Sequence, residues 1–360
     1  MTLTTVLLII AGLGLLVAGG ELLVRGASGI AAAAGVSRLV IGLTIVSVGT
    51  SAPEMLVSVY ASVTGNPDIA VANIVGSNIF NVLFILGACA VLRPLVVASQ
   101  LIRIDVPVMV AVSFLLLALA RDGTIGRWDG LLLIGGAMAY MVVLLRQGRR
   151  DEVLRQEAPG LAGPAHPPAR VWARNGVLVA VGLGLLILGA RWLVDGAASM
   201  ARALGVSDVI IGLTIIAAGT SLPEVATSVL ATLRGERDIA IGNVIGSNIF
   251  NILGILGLSG LVATTPLAVH ASVVDFDLPV MIAVAAACLP LFFTGNELRR
   301  WEGAVFLAYY GAYLAYLVMA SSQHDALPVF SRTMLLFVAP ITLLTVAVAV
   351  RREWRRRRGH

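Results

Sequence analysis

The sequence predicts an all-α integral membrane protein with two inverted five-helix repeats, ten transmembrane helices in all, plus a C-terminal eleventh transmembrane helix. Three features lead to this prediction: an apolar composition, a series of long apolar runs, and a pair of motifs that occurs twice. Of the 360 residues, 58% are hydrophobic and 12% are charged, and the mean hydropathy is +0.95. Such a chain carries too little polar surface for a soluble globular protein.

Eleven apolar runs have about the length and composition that a membrane-crossing helix needs. They cover residues 3–24, 38–63, 69–92, 104–120, 128–146, 174–198, 208–233, 238–262, 273–294, 301–320 and 333–350. Because the first run has neither a basic leader nor a clear cleavage site, we expect it to be retained as a helix. A polar, proline-bearing stretch follows the fifth run. It divides the chain into a first repeat (1–146), a cytoplasmic linker (147–172), a second repeat (173–320), and an extra helix with an arginine-rich tail (321–360).

Two motifs occur once in each half. The segment at 41–54 reads "IGLTIVSVGTSAPE" and returns at 211–224 as "IGLTIIAAGTSLPE"; "GSNIFN" stands at both 76–81 and 246–251, again 170 residues apart. A unit with an odd number of crossings begins its second copy on the opposite side of the membrane. The halves are therefore predicted to be inverted about a pseudo-two-fold axis in the membrane plane, an architecture typical of secondary transporters.

The arginines predict the orientation. All 25 basic residues are arginine, and with the N-terminus outside, 20 of them lie in or beside cytoplasmic segments. This bias predicts that the N-terminus lies outside and the C-terminus in the cytoplasm. The expected location is the inner (cytoplasmic) membrane of the cell. The net charge of +5 then reflects topology, and no nucleic-acid partner is expected. Cys89 and Cys288 are interpreted as small core residues without a redox or metal role.

A carboxylate lies inside one apolar run of each half. Glu54 and Glu224 each follow a proline, and an ionisable group at this depth costs about 2.5–3.5 kcal/mol on insertion scales. Because Pro53 and Pro223 cannot donate a backbone hydrogen bond, carbonyl groups just upstream are expected to be released from the helix. Irregular backbone at membrane depth is tolerated only where it is buried in protein or lines a wet cavity. The pattern therefore predicts a functional site.

The candidate ligands all carry oxygen, which favours hard cations such as Ca²⁺ and Na⁺. In the second motif, a hydroxyl and an amide stand four residues apart on one helix face. Glycines at 76 and 246 are expected to let the helices approach closely. Asp105 and Asp277 also repeat, but they precede prolines at predicted helix starts, so capping is expected. The side-chain ligands proposed from the two motifs are Thr50, Ser51, Glu54, Ser77, Asn81, Thr220, Ser221, Glu224, Ser247 and Asn251.

The doubled "GTSxPE" and "GSNIFN" motifs resemble the α-repeats of the cation/Ca²⁺ antiporter superfamily, and most closely those of prokaryotic sodium/calcium exchangers. The resemblance implies a ten-helix exchanger, not an enzyme, that carries Ca²⁺ one way and Na⁺ the other by alternating access and needs no cofactor. It implies the ligands named above together with the backbone carbonyls of Ser47 and Ala217. Both halves end in asparagine, at 81 and 251, whereas potassium-dependent relatives have aspartate at the second position; potassium coupling is therefore not favoured.

Partners beyond the transported ions and the lipid bilayer are not indicated. The linker at 147–172 is too short for the regulatory Ca²⁺-binding domains of animal exchangers, and no obligatory protein partner is evident.

Other functions fit parts of the same pattern. A proton/Ca²⁺ antiporter on the same scaffold could carry protons on the two glutamates, although it would not need the many hydroxyl and carbonyl oxygens. A cation channel would need no alternating access. An enclosed site between inverted repeats favours alternating access and therefore argues against a channel. An intramembrane hydrolase using Ser51 or Ser221 lacks an evident base. The four histidines, in or near loops or the tail, are His166, His270, His324 and His360.

Overall fold

The computed structural model describes residues 3–64, 67–156, 168–203 and 217–358. Within these ranges the chain is helical apart from four two-residue strands and the connecting turns. The helices of the first half are α1 (Leu3–Ala34), α2 (Arg38–Ile41, Gly42–Val46 and Ser47–Thr50), α3 (Ala52–Val63), α4 (Pro67–Phe80, Asn81–Leu86 and Gly87–Leu92), α5 (Leu101–Asp105, Val106–Leu119 and Ala120–Asp122) and α6 (Arg127–Gln156).

The second half repeats this order. Its helices are α7 (Ala169–Ala203), α8 (Ala217–Gly219), α9 (Leu222–Leu233), α10 (Arg237–Phe250, Asn251–Leu256 and Gly257–Val262), α11 (Val273–Asp277 and Leu278–Phe293) and α12 (Arg300–Ser321), and beyond the repeat lies α13 (Leu327–Thr333, Met334–Val338 and Ala339–Arg358). Several of these helices contain a π-helical segment, and the one at Asn81–Leu86 has its counterpart at Asn251–Leu256.

The protein spans the membrane many times. In the described residues, nine helices are long and apolar enough to cross a membrane, or ten if the bent pair α2–α3 is one span. They coincide with the predicted apolar runs except the run at 208–233. Of that run, residues up to 216 lie outside the described ranges, and the remainder includes the shorter apolar helix α9. The total of eleven crossings stays a prediction.

Helices α4 and α10 lie at the centre of the protein. In their most apolar stretches, 78% and 94% of the residues are buried, whereas the corresponding value for 327–345 in α13 is 0%. A helix that is apolar on all sides and enclosed by protein belongs to the core. The α13 helix instead packs at the periphery, where the Tyr309 hydroxyl of α12 donates to Thr342 Oγ1 at 2.7 Å.

Helices α1 and α7 pack closely along most of their length. A Cβ atom placed on Gly19 would lie 2.8 Å from the carbonyl oxygen of Gly182, and one on Gly12 would lie 2.9 Å from that of Gly189. Only glycine permits so close an approach of two helix backbones, as is common in membrane helix pairs. The glycine content of the chain is thus partly explained by this pair.

Four short strands connect the loops of the two halves. Strand β1 lies between α4 and α5, β2 between α5 and α6, β3 between α10 and α11, and β4 between α11 and α12. Strands β1 and β4 pair antiparallel, as do β2 and β3. The bounds are β1 (Leu95–Val96), β2 (Thr124–Ile125), β3 (Leu267–Ala268) and β4 (Glu297–Leu298), with Leu95 opposite Leu298 and Thr124 opposite Ala268.

The capping role expected for two aspartates is wrong. Helices α5 and α11 contain π-helical segments that start four residues before Asp105 and Asp277, so both aspartates lie within a helix and make no side-chain cap. The Asp105 carboxylate instead accepts a hydrogen bond from the Tyr140 hydroxyl at 2.9 Å, and Asp277 accepts one from Tyr313, also at 2.9 Å. In each half, this bond ties the fourth predicted span to the fifth.

Helical structure extends into the predicted linker from both ends. Helix α6 continues to Gln156 and α7 begins at Ala169, so both ends of the 147–172 stretch are helical. Residues 157–167 lie outside the described ranges.

Candidate cation-binding site

Each half has a helix break at its glutamate motif. Helices α2 and α3 meet at an angle of 47°. At the break, Ser51 has φ −76° and ψ 11°, and Ser221 has φ −87° and ψ 7°. Both residues therefore lie in the sparsely populated region between the helical and extended conformations. Glu54 and Glu224 fall in the first turn of the helix that follows, where the positive end of the helix dipole favours a carboxylate.

The two carboxylates are buried and each is held by the other half. Glu54 and Glu224 are both 1% exposed. The Ser221 hydroxyl donates to Glu54 Oε1 at 2.7 Å, and the Ser51 hydroxyl donates to Glu224 Oε1 at 2.9 Å. Exchanging the halves turns one of these bonds into the other. The structure thus brings together, at one place, two motifs that lie 170 residues apart in the sequence.

The serines of the second motif lie directly beside this crossed pair. Ser247 Oγ is 3.0 Å from Ser51 Oγ, and Ser77 Oγ is 3.3 Å from Ser221 Oγ. Since Ser51 and Ser221 give their hydroxyl hydrogens to the glutamates, Ser247 and Ser77 can supply the hydrogen in these contacts. The contacts therefore form two equivalent triads, Ser51–Glu224–Ser247 and Ser221–Glu54–Ser77, each with members from both halves.

Several oxygens of the predicted ligands have no hydrogen-bond partner among the described residues. A buried polar atom without a partner costs about 1–3 kcal/mol. Carboxylate and amide oxygens cannot satisfy one another, because neither carries a hydrogen, whereas a cation would satisfy several at once. The unpartnered carboxylate and amide oxygens of the predicted ligands are Glu54 Oε2, Glu224 Oε2, Asn81 Oδ1 and Asn251 Oδ1.

The donor set suits a hard cation. Among the residues that the structure describes, no three His, Cys, Asp or Glu side chains converge as they would at a typical transition-metal site. Two carboxylates accompanied by neutral hydroxyl and amide oxygens instead match the ligands that Ca²⁺ and Na⁺ take in proteins. The arrangement can therefore enclose a partly dehydrated alkali or alkaline-earth cation.

The Ser47 carbonyl was expected to be released from the helical hydrogen bonds, but it is not. It accepts a helical hydrogen bond from the Ser51 backbone N–H at 3.1 Å, and it lies 3.5 Å from the Ser247 hydroxyl. The reason is positional, because a proline at residue 53 removes the donor to residue 49 and leaves the donor to residue 47 in place. A carbonyl has a second lone pair, so Ser47 can still contribute a ligand. Ala217 is the first described residue of its range and begins α8.

Two asparagines outside the predicted ligand set make hydrogen bonds to residues of the predicted site. Asn243 Oδ1 accepts a hydrogen bond from Thr50 Oγ1 at 3.0 Å, while Asn243 Nδ2 donates to Ser228 Oγ at 3.0 Å. Asn73, its counterpart in the first half, donates to Ser58 Oγ at 3.0 Å and to the Glu54 backbone carbonyl at 3.4 Å.

Two further asparagines, Asn78 and Asn248, accept hydrogen bonds from Asn251 and Asn81 of the predicted ligand set. All four of these asparagines repeat at the 170-residue offset within the stretches that contain "GSNIFN". That repetition was the one sequence signal that could have identified them.

The glycines at the centre behave differently in the two halves. A Cβ atom on Gly246 would lie 2.8 Å from both Leu43 Cα and Ser47 Oγ, so the expected close approach holds there. At Gly76, no described atom lies within 4 Å of a Cβ atom. The position equivalent to Leu43 in the second half is residue 213, which lies outside the described ranges.

Comparison with protein families gives one assignment for both halves. The family model described as "Sodium/calcium exchanger protein" matches residues 4–146 and 175–319. These two ranges contain both copies of the glutamate and asparagine motifs and exclude α13.

Curated relatives match most of the chain. It is 39% identical over 326 residues to "Putative antiporter CaxA" of Alkalimonas amylolytica, covering 89% of this chain and 100% of that protein. It is 38% identical over 298 residues to "Inner membrane protein YrbG" of Escherichia coli (strain K12), covering 80% and 89%. It is 34% identical over 343 residues to "Sodium/calcium exchanger MaX1" of Methanosarcina acetivorans, covering 86% and 97%.

Solved structures share the fold. The sodium-calcium exchanger NCX_Mj, soaked with 10 mM Na⁺ and 10 mM Sr²⁺, superposes with a TM-score of 0.75 at 31% identity, covering 88% of this chain and 99% of that one. The same exchanger soaked with zero Na⁺ and Ca²⁺ also gives a TM-score of 0.75, at 32% identity. The resemblance stated from the motifs is confirmed, and the chain belongs to the sodium/calcium exchanger family as a multi-pass cation/Ca²⁺ antiporter of the membrane.

Proposed function

We propose that this protein is a secondary active transporter that exchanges Na⁺ for Ca²⁺ by alternating access, using one site near the middle of the membrane. The observation that carries the proposal is the buried pair Glu54 and Glu224, each with one carboxylate oxygen that lacks a partner among the described residues. Charges at this depth are costly and, where they occur, mark ion pathways. The ligands are those proposed from the motifs, including the carbonyls of Ser47 and Ala217.

Charge counting connects the site to the membrane voltage. Two ionised glutamates neutralise one Ca²⁺, so the Ca²⁺-loaded site has a charge near zero. If three Na⁺ replace one Ca²⁺, as the resemblance suggests, the loaded site carries about +1. Each cycle then moves net charge, and the driving force changes by about 2.3 kcal/mol per elementary charge for every 100 mV.

Reciprocal contacts support the inverted repeat. Residues 95–96 and 267–268 are equivalent in the two halves, as are 124–125 and 297–298, so β1 corresponds to β3 and β2 to β4. The observed pairs β1–β4 and β2–β3 therefore exchange under a two-fold operation. The crossed serine–glutamate hydrogen bonds exchange in the same way.

The same strand pairs support one crossing by the run at 208–233. Paired strands must lie on the same side of the membrane, so an even number of crossings must separate β1 from β4 and β2 from β3. Counting the run at 208–233 as one crossing gives an even number in both cases, and omitting it gives an odd number. We therefore propose eleven crossings, with the repeats at 1–146 and 173–320, the linker at 147–172 and the extra helix at 321–360. The arginine bias places the N-terminus outside and the C-terminus in the cytoplasm.

Sodium rather than proton coupling is supported by the neutral oxygens. A proton needs only a carboxylate, whereas a dehydrated Na⁺ needs several oxygens. The hydroxyls of Ser51 and Ser221 lie beside the glutamates, and the amide oxygens of Asn81 and Asn251 are buried without a partner among the described residues. Two similar proteins, MaX1 and NCX_Mj, are named as sodium/calcium exchangers. NCX_Mj is described by extracellular ion exchange and induced occlusion of its binding site, which fits alternating access.

Ca²⁺ uptake into proteoliposomes under imposed ion gradients tests this function. We expect an outward Na⁺ gradient to drive Ca²⁺ uptake, an equal outward K⁺ gradient to drive none, and a protonophore to leave the uptake intact. Uptake that ignores Na⁺ and collapses with the pH gradient would establish the proton/Ca²⁺ antiporter instead. Uptake without any counter-ion gradient would indicate a channel.

A further inference from the structure

Asn78 and Asn248 lie back to back between the two central helices, and both are 2% exposed. Asn78 Nδ2 donates to the backbone carbonyl of Asn248 at 3.2 Å, and Asn248 Nδ2 donates to the backbone carbonyl of Asn78 at 3.3 Å. Asn248 Nδ2 also faces the sulfur of Met109 at 3.5 Å. A backbone carbonyl and a thioether can only accept, so these contacts determine which end of each amide is nitrogen.

The oxygen ends of the same two amides reach the proposed ligands. Asn248 Oδ1 accepts a hydrogen bond from Asn81 Nδ2 at 3.0 Å, and Asn78 Oδ1 accepts one from Asn251 Nδ2 at 3.0 Å. Each bond crosses between the halves. Asn81 and Asn251 therefore have their N–H ends occupied, and their own Oδ1 atoms are buried without a partner among the described residues.

The orientation of these ligand amides decides whether they attract or repel a cation. The oxygen end of an asparagine is an acceptor, whereas the NH₂ end carries two donors that point positive charge outward. The last side-chain torsion of asparagine is broad and roughly two-fold, so rotation alone does not select one end. The orientation of the amide must therefore be selected by a neighbouring acceptor, which can form a hydrogen bond with the NH₂ end but not with the oxygen end.

We propose that Asn78 and Asn248 are positioning residues that turn the amide oxygens of the proposed ligands toward the cation, each across the boundary between the halves. Asn248 orients Asn81, and Asn78 orients Asn251. This inference rests on the proposed function, because it takes Asn81 and Asn251 as cation ligands. It adds a specific pairing that sequence position does not suggest, since each positioning residue is three residues from one ligand but acts on the other.

Equilibrium binding of radioactive Ca²⁺ to the purified full-length protein tests the pairing by double-mutant cycles. Asn248→Leu removes the acceptor for Asn81 at nearly constant volume, and Asn78 keeps its own bond to the backbone carbonyl of residue 248. We expect the Ca²⁺ dissociation constant to rise roughly tenfold, which corresponds to about 1.4 kcal/mol. Asn175→Leu, a similar change at a buried asparagine in α7 outside the site, is the matched control and should change it less than about twofold.

The pairing predicts which double variants are additive. Asn248→Leu combined with Asn81→Ala should bind Ca²⁺ as well as Asn81→Ala alone, to within about twofold, because the residue being oriented is gone. Asn248→Leu combined with Asn251→Ala should show the product of the two single effects. The mirror cycle uses Asn78→Leu with the same two ligand variants and should show the opposite pattern. The mirror cycle also tests the pairing if the Asn248→Leu protein does not fold.

The two possible failures are distinguishable. Additive effects with both ligands, or an unchanged Ca²⁺ dissociation constant in a folded Asn248→Leu protein, would overturn the pairing while leaving the exchanger in place. A wild-type protein that binds no Ca²⁺ would overturn the proposed function together with the inference.

Discussion

Replacing Glu54 by glutamine should weaken Ca²⁺ binding far more than Na⁺ binding. The substitution keeps the shape of the side chain and an oxygen that can accept from Ser221, whose hydroxyl lies 2.7 Å from the carboxylate. It removes one of the two negative charges that face the cation. Because the carboxylate is only 1% exposed, solvent screens this charge poorly.

The magnitude follows from Coulomb's law. At an effective dielectric constant of about 20 and a separation of about 4 Å, a unit charge contributes about 4 kcal/mol toward a monovalent ion and about 8 kcal/mol toward a divalent one. The energy of desolvating the carboxylate is common to both ions and cancels in the comparison. Compared ion by ion, the remaining difference of about 4 kcal/mol corresponds to a shift of roughly 10³-fold in the ratio of the Ca²⁺ affinity to the affinity for each single Na⁺.

The assay is equilibrium binding of radioactive Ca²⁺ and Na⁺ to the purified variant, with Ca²⁺ uptake in proteoliposomes as the functional measurement. We expect near-complete loss of Ca²⁺ uptake with normal membrane insertion, and the same for Glu224→Gln. Glu21→Gln is the control, because this carboxylate also lies in a membrane helix but pairs with Arg25 at 2.6 Å and with Arg234, away from the site. Wild-type Ca²⁺ uptake by either glutamate variant would refute the reasoning. So would an equal fall in the affinities for Ca²⁺ and for each Na⁺.

Three further predictions follow from other parts of the structure. Ser51→Ala and Ser221→Ala each remove a hydrogen bond to a carboxylate, worth about 1.5–3 kcal/mol. Each variant should lower the apparent Na⁺ and Ca²⁺ affinities at least tenfold in uptake assays, whereas unchanged Na⁺ dependence would argue for proton coupling. Reporters fused within 150–165 and after His360 should be cytoplasmic and one within 322–328 external; finding the first two on opposite sides would exclude eleven crossings. Gly19→Val should lower the thermal stability of the purified protein because its Cβ would meet the Gly182 carbonyl, while Gly14→Val, with no described atom within 4 Å, should not; equal stability would show that α1 and α7 can separate without cost.

The sequence predicted the parts of this protein that depend on repetition. A carboxylate behind a proline in each half implied that Glu54 and Glu224 would meet, and the structure joins each to a serine of the other half. The membrane-spanning helices were predictable because apolar length alone determines them. The helix break at Ser51 was equally predictable from the proline two residues later.

Features that depend on contacts across the two halves were not predictable. Asn78 and Asn248 look like ordinary polar residues of a repeated motif, and their role emerges only because α4 and α10 place them back to back. Asp105 was expected to cap a helix because a proline follows it closely. A π-helical segment at Leu101–Asp105 in fact precedes the proline, so Asp105 lies inside the helix and its carboxylate accepts a hydrogen bond from Tyr140. A local pattern cannot reveal a helix that starts one turn early.

The most direct test of the central claim is competition between Na⁺ and Ca²⁺ for one site in the purified protein. Radioactive Ca²⁺ bound at equilibrium should be displaced by added Na⁺ but not by the same concentration of K⁺, and Glu54→Gln combined with Glu224→Gln should abolish the binding. Ca²⁺ binding that is indifferent to Na⁺, or that survives loss of both carboxylates, would contradict the account.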